Sequence, residues 1–325
     1  MEKINLLITS AGRRVSLVKA FKNEVNLLKL ESKVYCTDLN PALSPACQVS
    51  DGFFKVKRVT DDFYISELLE ICIQNNIKLI IPTIDTELEI LARNKDLFKQ
   101  NGITALVPGL TFVKKCRDKR LIHDFFDSIN LKRAQEFNLS NLKFPCFVKP
   151  TDGSRSEGIY LLHSEKELTN EISGNSKNMF LEYFNSVDYT EFTVDIYFTK
   201  TSQIKCIIPR ERILVRDGEV NTACTRNNGI VNFVKEKFSK VKEAVGCVTL
   251  QVFKHNKMEE VIGIEINPRF GGGYPLSYNA GGNFPRWILQ EYILGEDIED
   301  YFDQWKDNLL MLRYDQEIIL NGYKG

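Results

Sequence analysis

The sequence predicts an α/β domain followed by an α+β region, and two observations support this fold class. In the first 115 residues, short apolar runs alternate with amphipathic stretches, which is typical of a parallel sheet with helices on both faces. Beyond about residue 144, strand-like segments follow one another with few helices between them, which indicates antiparallel pairing. The 325 residues suffice for two or three packed units.

The elements of the first domain follow from the positions of its apolar runs. Buried strands are predicted at Ile4–Thr9, Val34–Asp38, Leu79–Pro82 and Thr104–Val107. Helices are predicted at about Ser16–Leu28, Ile65–Asn75, Thr86–Lys99 and Asp118–Ser128.

The second half is predicted to be rich in strands. These are expected at Cys146–Pro150, Ile159–Leu162, Met179–Tyr183, Glu191–Thr199, Ile204–Pro209, Val248–Phe253 and Val261–Asn267. One helix is expected to begin at the capping box formed by Ser164 and Glu167. Further helices are expected at about Asn232–Val245 and Pro285–Leu294, and Leu309–Leu320 is interpreted as a closing hairpin.

The overall composition excludes several classes of protein. Lys plus Arg equals Asp plus Glu at 43 each, so no net field attracts nucleic acid or an anionic membrane. The longest apolar runs are far shorter than the roughly 20 residues that span a bilayer. The eight cysteines are scattered without a CxxC pair, which favours free thiols in a reducing compartment. We therefore expect a cytoplasmic enzyme, and a homodimer is compatible with the sequence.

Lys149 ends a buried apolar strand, which is an unusual place for an ammonium group. The small, polar loop Asp152–Gly158 follows before the next strand, so its backbone amides could close over phosphates. This is not a Walker A loop, because no Gly-Lys-Ser/Thr opens a helix here. A plain β-hairpin is the alternative interpretation.

About thirty residues later, Glu182 and Tyr183 end another predicted strand, where a carboxylate and a backbone amide can meet an adenine edge. Asp188 and Glu191 follow after a short turn, and a carboxylate at that strand start can accept ribose hydroxyls. A solvated acidic loop is the alternative interpretation.

The most informative segment runs from Glu265 to Arg269. Glu265 and Asn267 are two residues apart on a predicted strand and therefore share a face, which Gln251 on a neighbouring strand can join. Such oxygen ligands suit a magnesium ion that triphosphate oxygens and water also hold. Arg269 is placed to neutralise a γ-phosphate during transfer. An ordinary polar strand end with an Asn-Pro turn is the alternative.

These three segments, in this order, resemble the ATP-grasp superfamily, and within it the carbamoyl-phosphate-synthase-like carboxylate-amine ligases. The resemblance implies a pre-ATP-grasp domain at 1–115, a two-part ATP-grasp clamp at 116–305 with a lid at about 144–185, and the C-terminal hairpin at 306–325. It implies ATP and magnesium, or manganese in its place, as cofactors.

The resemblance also implies roles for individual residues. Nucleotide binding would fall to Lys119, Lys149, Ser154, Gly158, Glu182, Tyr183 and Glu191. Gln251, Glu265 and Asn267 would ligate the metal, and Arg269 with Lys149 would act on the transferred phosphate.

Several other features have no assigned role at this point. The turn Ser10–Arg14 follows the first strand but contains no GxGxxG, so dinucleotide binding is not expected. Either Arg13 or Arg14 could bind a substrate carboxylate, and a solvated pair is equally compatible. Thr83 and Asp85 lie where α/β sheets usually bind ligands. Alternation alone does not decide which member of the set Arg210, Arg212 and Arg216 faces the phosphates.

The predicted reaction is ATP-dependent activation of a carboxylate as an acyl phosphate, followed by attack of an amine or ammonia. Its substrates would be a small-molecule acid and a small-molecule amine. No cysteine stands in a nucleophile setting, so we expect no glutamine hydrolysis. Two alternatives remain: a bicarbonate-activating enzyme of the carbamoyl-phosphate or carboxylase type, and a nucleotide-binding protein without turnover.

Overall fold

The computed structural model describes residues 4–151, 158–216 and 218–323. Its first unit is a parallel sheet of five strands in the order β3-β2-β1-β4-β5. The strands are β1 Asn5–Thr9, β2 Val34–Asp38, β3 Gly52–Lys55, β4 Ile77–Pro82 and β5 Thr104–Ala105. The helices are α1 Val15–Leu27, α2 Pro45–Val49, α3 Tyr64–Gln74, α4 Asp85–Arg93, α5 Lys95–Gln100, α6 Leu110–Arg117 and α7 Lys119–Ser128.

The alternation of buried residues along β1 explains why helices cover both faces of this sheet. Leu6 and Ile8 pack into one core with Phe21 of α1, whereas Leu7 packs into a second core with Leu68 of α3. Successive side chains of a strand point to opposite faces, so a strand buried on both sides reads as a continuous apolar run. The predicted α/β layer is confirmed.

The second unit is a small antiparallel sheet in the order β7-β10-β8-β9. Its elements, with the short strand that precedes them, are β6 Lys132–Arg133, β7 Glu136–Phe137, β8 Cys146–Pro150, β9 Tyr160–Leu162, α8 Asn170–Gly174 and β10 Asn178–Glu182. Phe137, Val148 and Phe180 are buried in its own core.

The third unit is a sheet of seven strands in the order β16-β13-β12-β11-β14-β15-β6, antiparallel except where β6 joins β15. Its other elements are β11 Tyr189–Phe198, β12 Ile204–Arg216, β13 Glu219–Thr225, α9 Ile230–Phe238, β14 Gly246–His255, β15 Val261–Asn267, α10 Tyr274–Ala280, α11 Phe284–Leu289 and β16 Leu310–Leu312. A π-helical turn at Gln290–Leu294 continues α11.

Three predicted elements are wrong in part, and a tertiary contact explains one of them. The predicted helix Asn232–Val245 begins at Ile230 and ends at Phe238. In the segment that follows, Glu243 adopts a positive φ of 69° and its backbone carbonyl accepts a hydrogen bond from Gly109. The predicted hairpin Leu309–Leu320 has one strand only. Its residues Leu310–Leu312 pair with β13, and Arg313 then turns to Glu219.

The third wrong element is the helix expected at the Ser164 capping box. Glu167 does bind the Ser164 hydroxyl at 3.4 Å and the backbone of His163 at 3.1 Å, but only a 3₁₀ turn forms there. The helix begins later, where Thr169 caps α8 through the amide of Ile172. Two smaller differences are a break at Asn94 in the predicted helix Thr86–Lys99 and the extension of the predicted strand Ile204–Pro209 to Arg216.

The elements that were not expected from the sequence include α2, β3, β6, β7, β13 and α10. None of the helices in the described ranges is long and apolar enough to cross a bilayer.

Candidate active site

One large cavity of about 950 Å³ runs between the three units. At one end apolar and aromatic side chains surround it, and we call this the hinge end: Phe147, Leu181, Tyr183, Phe184 and Phe253. At the other end lie charged groups from the first and third units, which we call the arginine end: Arg14, Asp85, Glu219, Arg269 and, behind the lining, Arg313. The third unit supplies the polar surface between them.

The polar surface between the two ends is a consequence of strand register. Thr193 of β11 lies opposite Gln251 of β14, and Gln251 lies opposite Glu265 of β15, so all three side chains share a face. Asn267 follows on that face and its Nδ2 donates to Glu265 Oε1 at 2.8 Å. The structure thus brings together the three residues that the sequence assigned to a metal.

Their chemistry fits a magnesium ion in part. The set offers one carboxylate and two amide carbonyls, which are the hard oxygen ligands that magnesium prefers. Among the described residues no group of three or more His, Cys, Asp or Glu could hold a metal by itself. A cation here would therefore need further oxygens from a ligand or water.

Lys149 reaches the same surface from β8, with only 8% of its surface exposed. Its ammonium makes no hydrogen bond or ion pair with the described residues. Burial lowers the pKa of Lys149 to about 8, and the nearby Glu265 carboxylate opposes that fall. A buried cation without a partner among these residues favours an anionic ligand in the cavity.

The hinge end combines aromatic side chains with the polar backbone groups at the end of β10. Phe184 packs edge-on against Tyr189 at 4.9 Å and also contacts Phe253. Glu182 ends β10, and its backbone amide donates to the carbonyl of Gln135 at 2.8 Å. The following residues leave the strand beside an aromatic surface, which suits a flat heterocycle.

Glu191 has a partner within the protein. Its Oε1 lies 2.9 Å from Arg212 Nε in an ion pair, and Arg212 Nη1 also reaches the hydroxyl of Thr193 at 3.3 Å. Burial raises the pKa of Glu191, while Arg212 opposes the rise. Both residues line the cavity.

Arg210 is almost fully buried, and its charge is compensated inside the protein. Asp195 accepts hydrogen bonds from Arg210 Nε at 2.8 Å and Nη2 at 3.2 Å. The Asp195 carboxylate also accepts from the hydroxyls of Ser277 at 2.6 Å and Thr249 at 3.3 Å. This network ties α10 to β11, β12 and β14.

The arginine end joins the first unit to the third. Arg269 Nη2 donates to Asp85 at the start of α4 at 2.5 Å, and Arg313 Nη1 donates to Glu219 at 2.9 Å. Arg14, the residue before α1, lines the cavity, whereas Arg13 is exposed to solvent. Of the two arginines that the sequence left open, Arg14 is the one in the cavity.

Two family models match this chain. Residues 6–106 match the model described as PylC-like, N-terminal domain, and residues 177–313 match the model described as ATP-grasp in the biosynthetic pathway with Ter operon. The resemblance to the ATP-grasp superfamily that the sequence predicts is confirmed over residues 177–313.

Solved structures share this ATP-grasp fold. An N5-carboxyaminoimidazole synthetase from Staphylococcus aureus has a TM-score of 0.69 at 18% identity, over 91% of this chain and 78% of that chain. The biotin carboxylase domain of a Hydrogenobacter thermophilus 2-oxoglutarate carboxylase has a TM-score of 0.70 at 12% identity, over 94% and 73%. A Rhizobium etli pyruvate carboxylase has a TM-score of 0.64 at 13% identity, over 86% of this chain, which spans only 27% of that chain's length. No curated protein matches the sequence.

Most of the residues predicted for the ATP-grasp site lie around this one cavity. Its lining contains Lys119, Lys149, Glu182, Tyr183, Glu191, Gln251, Glu265, Asn267 and Arg269. Gly158 is described, with a positive φ of 69°, but is not part of that lining. Ser154, with the rest of 152–157, lies outside the described residues. Asp188 is turned to Asn185, outside the cavity.

Sequence reasoning missed several residues of the ATP-grasp cavity. Thr193 lines the cavity, and the fully buried Asp195 lies on the same face of β11. Both continue the alternation that begins at Glu191, so strand parity alone could have placed them there. His123 is buried beside the cavity, and burial with the Lys149 charge lowers its pKa to about 4. The pairing of Asp85 with Arg269 spans 184 positions, and no local sequence pattern predicts it.

Proposed function

We propose that this chain uses ATP to phosphorylate a carboxylate and passes the acyl phosphate to an amine or ammonia. One observation carries the proposal: a single cavity joins an aromatic hinge, a buried lysine without a partner among the described residues, a Gln-Glu-Asn oxygen set and a cluster of arginines. Its volume of about 950 Å³ is large enough for a nucleotide with a small acid beside it.

The nucleotide would lie with its base at the hinge end, against Phe184 and Phe253, and with polar edges toward Glu182 and Tyr183. Lys149 and Lys119 would bind phosphate oxygens, and most of the predicted phosphate loop Asp152–Gly158 lies outside the described residues. The Arg212–Glu191 pair would border the ribose. The amino-acid types and positions around the cavity support this placement.

Gln251, Glu265 and Asn267 would hold a magnesium ion, or manganese in its place. Such an ion neutralises phosphate charge and orients the triphosphate. The similar Hydrogenobacter thermophilus domain was solved in complex with MgADP and bicarbonate, which supports this choice of ligands.

Phosphoryl transfer then depends on charge neutralisation and positioning. The substrate carboxylate oxygen attacks the γ-phosphorus, the bond to the β-phosphate oxygen breaks, and ADP leaves. Lys149 and Arg269 stabilise the negative charge as it moves between these oxygens. The amine nitrogen then attacks the acyl carbon, phosphate leaves, and the nitrogen loses a proton.

The nitrogen donor is proposed to be a free amine or ammonia. Glutamine hydrolysis needs an activated thiolate, and seven of the eight cysteines are buried. The eighth, Cys116, lines the cavity, but burial raises its pKa well above the usual value. The same unpaired thiols favour a cytoplasmic location. A homodimer is also proposed, since the Hydrogenobacter thermophilus domain is a dimer, and sedimentation analysis would test it.

The experiment is a screen for ADP release with individual acids and amines, with hydroxylamine added to capture any acyl phosphate as a hydroxamate. The proposal predicts acid-dependent ADP release together with a hydroxamate of that acid. ADP release with bicarbonate alone would instead establish the carboxylase-type alternative. Nucleotide binding without turnover for any acid would establish the non-catalytic alternative.

A further inference from the structure

The arginine end contains an odd number of charges. Three guanidinium groups meet two carboxylates there: Arg269 pairs with Asp85, and Arg313 pairs with Glu219. The guanidinium of Arg14 makes no ion pair and no hydrogen bond with the described residues. The three guanidinium groups therefore outnumber the two carboxylates by one, and Arg14, which pairs directly with neither carboxylate, lines the cavity.

The surroundings make this charge costly in the empty site. Burial lowers the pKa of Arg14 to about 10, and the positive charge of Arg269 contributes to that fall, although Glu219 and Asp85 oppose it. A cation held away from water without a partner destabilises the protein, and a bound anion would remove that cost.

The backbone near Arg14 leaves room for close approach. A Cβ placed on Gly272 would lie only 3.1 Å from Arg14 Nη1. Arg313 Nη2 donates to the carbonyl of Gly272 and so helps to hold this backbone in place. The absence of a side chain at Gly272 thus lets the guanidinium of Arg14 lie close to this backbone, while its own donors remain unused by the described residues.

The charge and shape of the site indicate the class of ligand. One net positive charge matches one carboxylate, and a planar guanidinium fork binds a carboxylate through two parallel hydrogen bonds. The polar surface with Lys149 and Glu265 already provides a separate place for the phosphates and the reacting carboxylate. Arg14 lines the cavity from the first unit and takes no part in the Arg269–Asp85 pair.

We propose that Arg14 anchors a carboxylate of the substrate that is not phosphorylated, so that a substrate is an amino acid or a dicarboxylic acid. This inference rests on the proposed ligase function for its reaction. The anchoring carboxylate belongs either to an amino acid that attacks as the amine or to a diacid that is phosphorylated at its other end.

The test compares Arg14→Met with Arg13→Met, its exposed neighbour, in the full chain. Without ligand, Arg14→Met is expected to melt at the same temperature as wild type or about 1–3 °C higher, because an unpaired charge is removed. Arg13→Met is expected to leave the melting temperature unchanged. A clear loss of stability in Arg14→Met would overturn the proposal, since it would show a structural role.

Turnover is then measured with matched pairs of probes. Each proteinogenic amino acid is compared with the amine that lacks its α-carboxylate, and each short dicarboxylic acid is compared with the monocarboxylic acid that lacks its second carboxylate. Wild type is expected to favour the carboxylate-bearing member about 10- to 150-fold, and Arg14→Met is expected to lose that preference while KM for ATP stays unchanged. A preference retained in Arg14→Met would overturn the anchor. A preference seen in the amino-acid pairs would assign the anchored carboxylate to the attacking amino acid. A preference seen in the diacid pairs would assign it to the acid that is phosphorylated.

Failure of the proposed function has a different signature. If wild type releases no ADP with any probe, thermal stabilisation by glutamate and by succinate still tests the anchor. Stabilisation of wild type that is lost in Arg14→Met supports the anchor without the ligase reaction. Equal thermal stabilisation of wild type and Arg14→Met by these ligands would overturn the anchor.

Discussion

Lys149 and Arg210 are two buried cations on the walls of one cavity, and they differ in how their charge is compensated. Arg210 is 1% exposed and binds Asp195 through two hydrogen bonds. Lys149 is 8% exposed, has no partner among the described residues, and burial lowers its pKa to about 8. We infer from this comparison that the charge of Arg210 stabilises the fold and that the charge of Lys149 binds an anionic ligand.

The carboxylates on the same face of the large sheet divide in the same way. Asp195 is fully buried and accepts hydrogen bonds from Arg210, Ser277 and Thr249. Glu265 is only partly buried and accepts one from Asn267. We therefore expect Asp195 to control stability and Glu265 to control turnover.

The largest expected effect is on turnover. Glu265→Gln and Asn267→Ala should each lower ADP formation by about a thousandfold or more, because the loss of metal-held phosphate orientation costs several kcal/mol in the transition state. Their unfolding midpoints should match wild type. Near-normal turnover of either variant at limiting magnesium would show that the metal assignment is wrong.

The next largest effect is on stability. Asp195→Asn keeps the shape of the side chain but leaves Arg210 as an uncompensated buried charge, which should lower the free energy of unfolding by about 3–5 kcal/mol. Lys149→Met, the matched variant of the other buried cation, should not lower it. Urea denaturation of both variants measures the difference, and equal losses would remove the distinction between the two cations.

Lys149→Ala should weaken binding of a non-hydrolysable ATP analogue by about 1.5–3 kcal/mol, the range for a hydrogen bond to a charged group. Isothermal titration calorimetry is the measurement, with Lys143→Ala as the matched control, since Lys143 is close in sequence and lies outside the cavity lining. An unchanged dissociation constant for Lys149→Ala would show that Lys149 does not bind the nucleotide.

The smallest predicted effect is a pH dependence. Phosphate favours protonated Lys149, so affinity for the ATP analogue should be full below about pH 8 and fall about tenfold by pH 9. The sign for folding is opposite: the unfolded state holds the proton more tightly, so this group's contribution to stability rises with pH between about 8 and 10.5. Lys149→Met should abolish the pH dependence of binding.

The polar centre of the cavity could be predicted because its residues are close in sequence. Glu265 and Asn267 are separated by one residue on a strand whose apolar pattern is clear, so their shared face follows from parity. The first sheet could also be predicted from the sequence, because parallel strands buried on both faces appear as apolar runs. Gln251 required only the assumption that β14 and β15 are neighbours, which the register confirms.

The arginine end could not be predicted because it depends on long-range pairing. Arg14, Asp85, Glu219 and Arg269 come from separate segments, and the Arg269–Asp85 ion pair needs the first and third units to meet. Tertiary contact also decided the C-terminal segment, where Arg313 binds Glu219 in place of a hairpin turn. Local propensity contains no information on either contact.

The central claim is that Glu265 and its neighbours hold a metal against a nucleotide in this cavity. It is tested most directly by titrating a non-hydrolysable ATP analogue into wild type and Glu265→Gln, with and without magnesium. The account predicts that magnesium strengthens binding to wild type and has much less effect on Glu265→Gln. Equal magnesium dependence in the two proteins would contradict it.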